Sequence, residues 1–295
     1  MTKKHIPVYS IEKFNTGNKR DFLVQVEPFD ANRHFQVEYP HRHDFYEILF
    51  LTKGSGFHII DFKKYTIQPN VIFFLAPGQV HSLELSDDVE GYIFLFTSEF
   101  YLFNKQNKNE LLELPFFYNL SSETPPLYLK YNKDIVEFAD FFTKASTEIK
   151  ERKQGFETAV IAFLDLILIK CNRLYPRFLP SKTSKKGKLL VKRFKQLIDE
   201  NYQEHRKVRD YADMLHITPS HLTEVVKELT GKSSQELIQE KLIIESKKLL
   251  TYTELNATQI AFRLNFKDQS YFSKFFKKHT NLTPVQFQRE SGKNT

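Results

Sequence analysis

The chain has 295 residues, with 43 Lys and Arg against 36 Asp and Glu and a hydrophobic share of 41 %. That composition suits a folded soluble protein and excludes wholesale disorder, and the length allows one large domain or two ordinary ones. One cysteine, Cys171, excludes an intrachain disulfide and a multi-cysteine zinc knuckle, and no apolar run is long enough to span a bilayer.

The opening residues, Met1 to Pro7, lack the apolar segment of a secretion signal, so a cytoplasmic setting and no membrane partner are expected. The charge excess is uneven. Residues 1–180 carry a net −2 and residues 181–295 a net +9. A basic region beside a near-neutral one is expected either of a polyanion binder or of a plain solvated face.

From Phe35 to about Phe100 the chain reads as short strands cut by turns. Phe45 to Leu51 is strand-like, and Gly54-Ser55-Gly56 turns it. Phe57 to Ile60, Tyr65 to Ile67, Val71 to Leu75 and Gly91 to Phe96 follow. Aromatic and β-branched runs at this spacing predict an antiparallel barrel or sandwich. Between residues 132 and 174 the period lengthens. Ile135, Phe138 and Phe142 share one helical face, and Phe156, Val160, Phe163 and Ile167 another, with a break near Gln154-Gly155. The second helix is apolar beyond one stripe, which predicts burial on more than one side, against its own sheet or against a second subunit. Residues 176–188, rich in Pro, Ser, Gly and Lys, read as a linker.

The last third is a string of short capped helices. Thr218-Pro219 and Thr283-Pro284 are cap-and-proline starts, and Ser233 with Glu236 fits a capping box. Two units of helix, tight turn and helix are legible. The first turns at His216-Ile217-Thr218 and carries Lys227; the second turns at Asn265-Phe266-Lys267 and carries Lys274, Lys277 and Lys278. The corresponding Leu222 and Phe272 lie 50 residues apart. These are helix-turn-helix proportions, in which the second helix enters a major groove. The helix between the units, with Leu237, Ile238, Leu242, Leu249 and Leu250 on one face, is the expected spacer.

This region resembles the AraC/XylS family of bacterial transcription regulators. The resemblance rests on Ile260-Ala261, on the run from Asn265-Phe266 through Ser270-Tyr271-Phe272 to Lys278, and on Leu282-Thr283-Pro284. Leu215, Ser220, Leu222, Lys227, Gly231 and Leu249-Leu250 match the first half in order, so that the resemblance covers about residues 188–291. Asn265 and Asn281 stand where the family usually has glycine, and Asn tolerates the left-handed backbone. Phe287-Gln288 stand for the usual Tyr-Arg.

The resemblance implies an α+β chain in four parts. A cupin-like β-barrel that binds an effector takes residues 1–130, and a helical dimerisation hairpin takes 131–177. A linker spans 178–188, and an all-α domain with two helix-turn-helix motifs spans 189–291. It also implies a DNA-binding regulator, more an activator than a repressor, with promoter DNA, RNA polymerase, a small effector and a second copy of the chain as partners. No enzyme activity and no cofactor is assigned.

On the first reader helix Ser220, His221, Thr223, Glu224 and Lys227 face DNA in this reading; on the second, Gln269, Ser270, Ser273, Lys274, Lys277 and Lys278 do. Gln269 and Lys274 have base-reading chemistry, and Lys277 and Lys278 are phosphate binders. Glu224 suits a cytosine amine or simply avoids the backbone. Phe272, Phe275 and Phe276 are expected in the core.

In the first half, His41, His43, Glu47, Gly54 and, after Pro77-Gly78, His81 follow the motif order of a metal-binding cupin. Such histidines and a carboxylate can ligate Zn, Fe or Mn. Three roles stay open for them: metal ligands, effector contacts or strand ties. The effector assignment takes His41, His43, Phe45, Glu47, Phe73 and His81, with Tyr46 and Phe74 added if their strands point inward. A metal-dependent cupin enzyme with an appended DNA-binding domain is the alternative function, and an architectural DNA binder without effector is another. Gly54-Ser55-Gly56 reads as a hairpin turn and Cys171 as an inert buried thiol.

Overall fold

A computed structural model describes residues 6–14, 23–31, 40–103, 105–107, 109–118, 125–175 and 185–291. Pro7–Ser181 form one compact unit, and Lys182–Thr295 fall in another. The strand start expected at Phe35 and most of the expected linker lie outside the described residues.

The first unit opens with β1 (Val8–Tyr9), a short 3-10 turn at Ile11–Phe14, β2 (Val24–Asp30) and β3 (Arg42–His43). It continues through β4 (Tyr46–Lys53), β5 (Gly56–Ile60), β6 (Lys63–Ile67), β7 (Val71–Leu75), β8 (His81–Leu85) and β9 (Glu90–Phe96). Next come α1 (Ser98–Leu102), α2 (Glu110–Glu113), β10 (Leu127–Tyr128), α3 (Asn132–Glu151) and α4 (Phe156–Leu174).

The strands fall into a five-stranded sheet in the order β10-β7-β4-β9-β2, a three-stranded sheet β6-β5-β8, and the pair β1-β3. Among the described residues these sheets do not close into the expected barrel; the main sheets stand as separate ladders over a shared core. A single bridge, His41 with His81, links the residue before β3 to the first residue of β8. The Gly54-Ser55-Gly56 turn joins β4 to β5 as expected. At Gly56 φ is +137°, and an added Cβ would lie 1.9 Å from the Glu84 carbonyl oxygen, so only glycine fits there.

The five-stranded sheet is buried on both faces, which explains runs of apolar residues without alternation. Strand geometry sends neighbours to opposite sides. Tyr46, Ile48 and Phe50 of β4, Ile72 and Phe74 of β7, and Phe94 and Phe96 of β9 form one cluster with α3 and α4. Leu49 and Leu51, Val71, Phe73 and Leu75, and Ile93 and Leu95 form the other, with Ile60 and Ile67 of the small sheet. The register puts Leu49 opposite Phe73 on one side and Ile93 on the other, so the inner layer is continuous across three strands.

The two predicted helices are α3 and α4. The turn between them places Arg152 and Gly155 in the left-handed region. Phe138 and Phe142 pack on Phe50 of the sheet, and Val160, Leu164, Ile167, Leu168 and Cys171 of α4 are buried in the same cluster. The opposite side of α4 leaves Leu166 and Ile169 exposed at 45 % and 47 %. Asp165 of α4 ties down the preceding segment: Lys105 Nζ donates to it at 2.6 Å, and Tyr101 OH lies 2.8 Å from both Asp165 and Glu110.

The second unit contains α5 (Lys185–Asn201), α6 (Val208–Met214), α7 (Pro219–Thr230), α8 (Ser234–Tyr252), α9 (Ala257–Arg263), α10 (Gln269–Thr280) and α11 (Pro284–Ser291). Thr218 and Ser233 cap α7 and α8 through their side chains, as their sequence positions predicted, and Asp268 caps α10 in the same way. The spacer α8 has 19 residues, a rise of about 28 Å. Its five predicted apolar residues are all buried. Arg206, ahead of α6, lays its guanidinium 4.0 Å from the Phe266 ring centroid and donates to the Leu264 carbonyl, fastening the first unit of the repeat to the turn of the second.

Candidate nucleic-acid interface and sensory core

The repeat is visible atom by atom. In the first turn Leu215 N donates to Tyr211 O and Ile217 N to Ala212 O; in the second, Leu264 N donates to Ile260 O and Phe266 N to Ala261 O. These partners lie 49 residues apart. After the turns the offset is 50: Thr230 Oγ1 donates to Val226 O, and Thr280 Oγ1 to Phe276 O. The second turn therefore holds one extra residue, Lys267. His216 and Asn265 occupy the left-handed region at φ 55° and 56°, as does Asn281 at 63°. The asparagines thus take over the glycine geometry, as anticipated.

The second helices of the two units, α7 and α10, bury the same positions. Leu222 and Val226 in α7, and Phe272 and Phe276 in α10, are fully buried. Ser220, His221, Glu224 and Lys227 are exposed on α7, with Thr223 half-buried. Gln269, Ser270, Lys274, Lys277 and Lys278 are exposed on α10, with Ser273 half-buried. Every sequence-assigned DNA contact thus lies on the free side of its helix or at its edge. The charge differs: Glu224 and Glu228 on α7 correspond to Lys274 and Lys278 on α10, whereas Lys227 corresponds to Lys277. Gln269 Nε2 donates to Ser273 Oγ at 3.3 Å, orienting the amide along the outer face.

In the first unit the assigned effector residues do converge, in a buried place. His43 and Phe45 are 0 % exposed, and His41, Glu47, Phe73 and His81 at most 4 %. The His43 ring stacks on Phe45 at 4.1 Å, and His41 meets His81 edge-on at 4.4 Å. Alternation along the strands decides which aromatics belong. Phe45 and Phe73 lie in the inter-sheet layer, whereas Tyr46 and Phe74 point to the helices, where Tyr46 OH sits 3.0 Å from Tyr118 OH and Phe74 stacks on Phe116.

Sequence reading missed His58. Its Nε2 lies 3.0 Å from His81 Nδ1, and its ring meets Phe73 edge-on. The signal was present: Phe57-His58-Ile59-Ile60 alternates, with His58 and Ile60 turned inward. Burial, and secondarily the neighbouring His43, push the His58 pKa down to about 3. Burial and the surrounding histidines also lower that of His81. Both rings are therefore neutral at physiological pH. His43 Nδ1 lies 2.8 Å from the Phe45 carbonyl, an acceptor only, so Nδ1 carries the proton. Burial likewise raises the Cys171 thiol pKa, in keeping with an unreactive role.

Comparison with known proteins covers both units. A family profile described as "AraC-like ligand binding domain" matches residues 24–127, and one described as "Helix-turn-helix domain" matches residues 211–290. The HTH-type transcriptional activator RhaS of Escherichia coli O81 (strain ED1a) is 24 % identical over 281 residues, covering 94 % of this chain and 95 % of that protein. RhaS of the O9:H4 strain is 24 % identical over 283 residues with the same coverage. Among solved structures, unsaturated fatty acid-bound ToxT from Vibrio cholerae is 19 % identical with a TM-score of 0.39, covering 90 % of this chain and 94 % of that one. The C-terminal domain of AraT from Geobacillus stearothermophilus is 29 % identical with a TM-score of 0.34, covering 37 % of this chain and 88 % of that one. With a ligand-binding unit followed by a doubled helix-turn-helix unit, the chain belongs to the AraC/XylS family of DNA-binding transcriptional regulators.

Proposed function

We propose that the protein is a promoter-specific transcriptional activator, not an enzyme, whose first unit answers to a small molecule and whose second unit reads two neighbouring major grooves. The observation that supports this most is the repeated exposure pattern of α7 and α10, which offers two equivalent outward faces on helices joined by a stiff spacer. Gln269 and Lys274 are assigned to base edges, Lys277 and Lys278 to phosphates. On α7, Ser220, His221 and Thr223 make the lighter contacts and Lys227 meets phosphate. Activation and contact with RNA polymerase are carried over from the activators it resembles. The exposed side of α4 is assigned to a second copy of the chain, and a cytoplasmic setting accompanies DNA binding.

Effector contact is assigned to His41, His43, Phe45, Glu47, Phe73 and His81. Their burial means that a ligand must displace packed side chains to reach them, so binding is coupled to the conformation of the first unit. A ligand changes transcription only through such a difference in affinity between conformations.

Footprinting across candidate promoters, with and without metabolites, tests the whole reading; a chain that protects no promoter better than scrambled DNA contradicts it. Lys274→Ala should weaken specific binding by about 1–3 kcal/mol and leave nonspecific binding nearly intact. Lys278→Ala should weaken both alike and reduce the salt slope by about one. Equal losses on both DNAs for Lys274→Ala would remove it from base readout.

A further inference from the structure

We propose that His43, Glu47 and His81 form a binding site for one divalent transition-metal ion of the zinc and iron class. The three are buried, and one ligand atom from each lies within 4.8 Å of the others, the one such group among the described residues. The site lies among the residues assigned to effector contact, so the inference deepens that reading and names a ligand class for it.

Three observations carry it. The first is donor chemistry. Two imidazoles and one carboxylate are the donor set of open zinc sites and of facial iron sites. The second is the state of His43. Its Nδ1 is committed to the Phe45 carbonyl, which orients the ring and makes Nε2 the nitrogen available to an ion. Nε2 is buried without a hydrogen bond and stands 3.5 Å from Glu47 Oε2. Donor atoms bound to one ion at about 2.0–2.1 Å stand about 3–3.5 Å apart, so this pair already has the required spacing. The third is Glu47 itself. Its Oε1 is buried without a hydrogen bond, an expensive state for a carboxylate that a cation would relieve.

The surroundings have the form of an outer shell. His58 engages His81 at Nδ1, so His81 would ligate through Nε2, with His58 orienting the ring as a hydrogen-bonded neighbour does in metal sites. His41 packs edge-on against His81 and lies outside the trio. β3, β4 and β8 each supply one ligand, so the ion would pin the three-stranded sheet to the five-stranded one. One carboxylate against a divalent ion leaves a positive charge in an apolar layer. The open positions therefore favour water or an anionic oxygen of a small molecule.

The test uses the full chain, stripped with a chelator and titrated with Co(II) and then Zn(II). One equivalent of Co(II) per chain is expected, with visible ligand-field bands that Zn(II) displaces, and Zn(II) should raise the melting temperature by several degrees. Glu47→Gln should weaken uptake at least tenfold, and the His43→Gln/His81→Gln double variant should abolish it, with circular dichroism unchanged. Bands that persist in the double variant place the ion elsewhere and overturn the proposal, as does a wild-type chain that takes up no metal. Should the variants fail to fold, X-ray absorption of the Zn(II)-loaded wild-type chain decides: a shell with two imidazoles supports the site, and one with none overturns it. Promoter footprinting on the same preparations separates the two readings. A chain that protects promoter DNA yet binds no metal loses the ion and remains a regulator; one that binds metal without protecting a promoter does the reverse.

Discussion

Single residues divide sharply into those whose role is written in local sequence and those whose role depends on distant neighbours. Asn265 and Asn281 belong to the first group, because a tight turn after a helix needs a left-handed residue and asparagine supplies one. Glu245 and Lys248 belong to the second. Both sit on α8 and are almost fully buried, positions that their charge alone would place in water. Lys248 Nζ lies 3.1 Å from Glu245 Oε1, which also lies 3.3 Å from Lys241 Nζ, and Lys241 in turn meets Asp199 of α5 at 2.7 Å. The network runs between α5 and α8 and has no signature in the period of either helix. Its asymmetry gives a prediction. Removing one member leaves buried charge uncompensated, so Glu245→Ala should cost about 3 kcal/mol in chemical denaturation of the full chain. Glu245→Gln, which keeps the shape and part of the hydrogen bonding, should cost less. A loss under about 1 kcal/mol for Glu245→Ala would mean that water compensates these lysines.

At the scale of elements, strands and helices with a strong period were legible and short or irregular ones were not. β4, β7 and β9 announced themselves because both their faces are apolar, yet that same feature hid which residues face which way. β2 escaped notice because Gln25, Glu27 and Pro28 interrupt its apolar residues. It is an edge strand, where proline is tolerated. The short α1 and α2 owe their form to Thr97 capping and to the Tyr101 and Asp165 contacts, not to a repeat in their own sequence. The reader helices are the informative pair. α7 and α10 share one burial pattern but differ in sign at two equivalent positions, Glu224 against Lys274 and Glu228 against Lys278. In the proposed mode of binding, α10 would therefore carry most of the attraction to phosphate, and α7 would depend on its partner for residence on DNA. Glu224→Lys copies the α10 charge onto α7. It should raise affinity for random duplex and steepen the salt dependence by about one to two in slope, because one repulsion is removed and one attraction added. Titration of labelled duplex across salt concentrations measures this. An unchanged slope would show that α7 stays off the duplex in the complex.

For the molecule as a whole, the legible part was its division: a neutral strand-rich half, a helical pair and a basic helical half were separable by period and charge alone. Closure of the sheets was not, because hydrogen bonding between distant strands leaves no trace in local pattern; the barrel expected from resemblance is, among the described residues, two main ladders and a bridging pair. Subunit assembly lies at this scale too. α4 spends Val160, Leu164, Ile167, Leu168 and Cys171 on its own core, so much of the apolar excess that hinted at a second copy is satisfied within the chain. What remains outward is Leu166 and Ile169, three residues apart on one helical face, with the half-buried Ile161 and Phe163 nearby. A symmetric pairing of two such helices would place like against like, the geometry of an isologous dimer. The double substitution Leu166→Asp/Ile169→Asp tests it without touching the core, since neither side chain is buried. Sedimentation should then show a shift from dimer to monomer, with circular dichroism unchanged. Promoter affinity should fall at least tenfold on a two-site operator and hardly at all on a single site, because linkage of two readers acts through effective concentration. A dimer that survives both aspartates would move the interface off α4 and return that helix to the role of a core element alone.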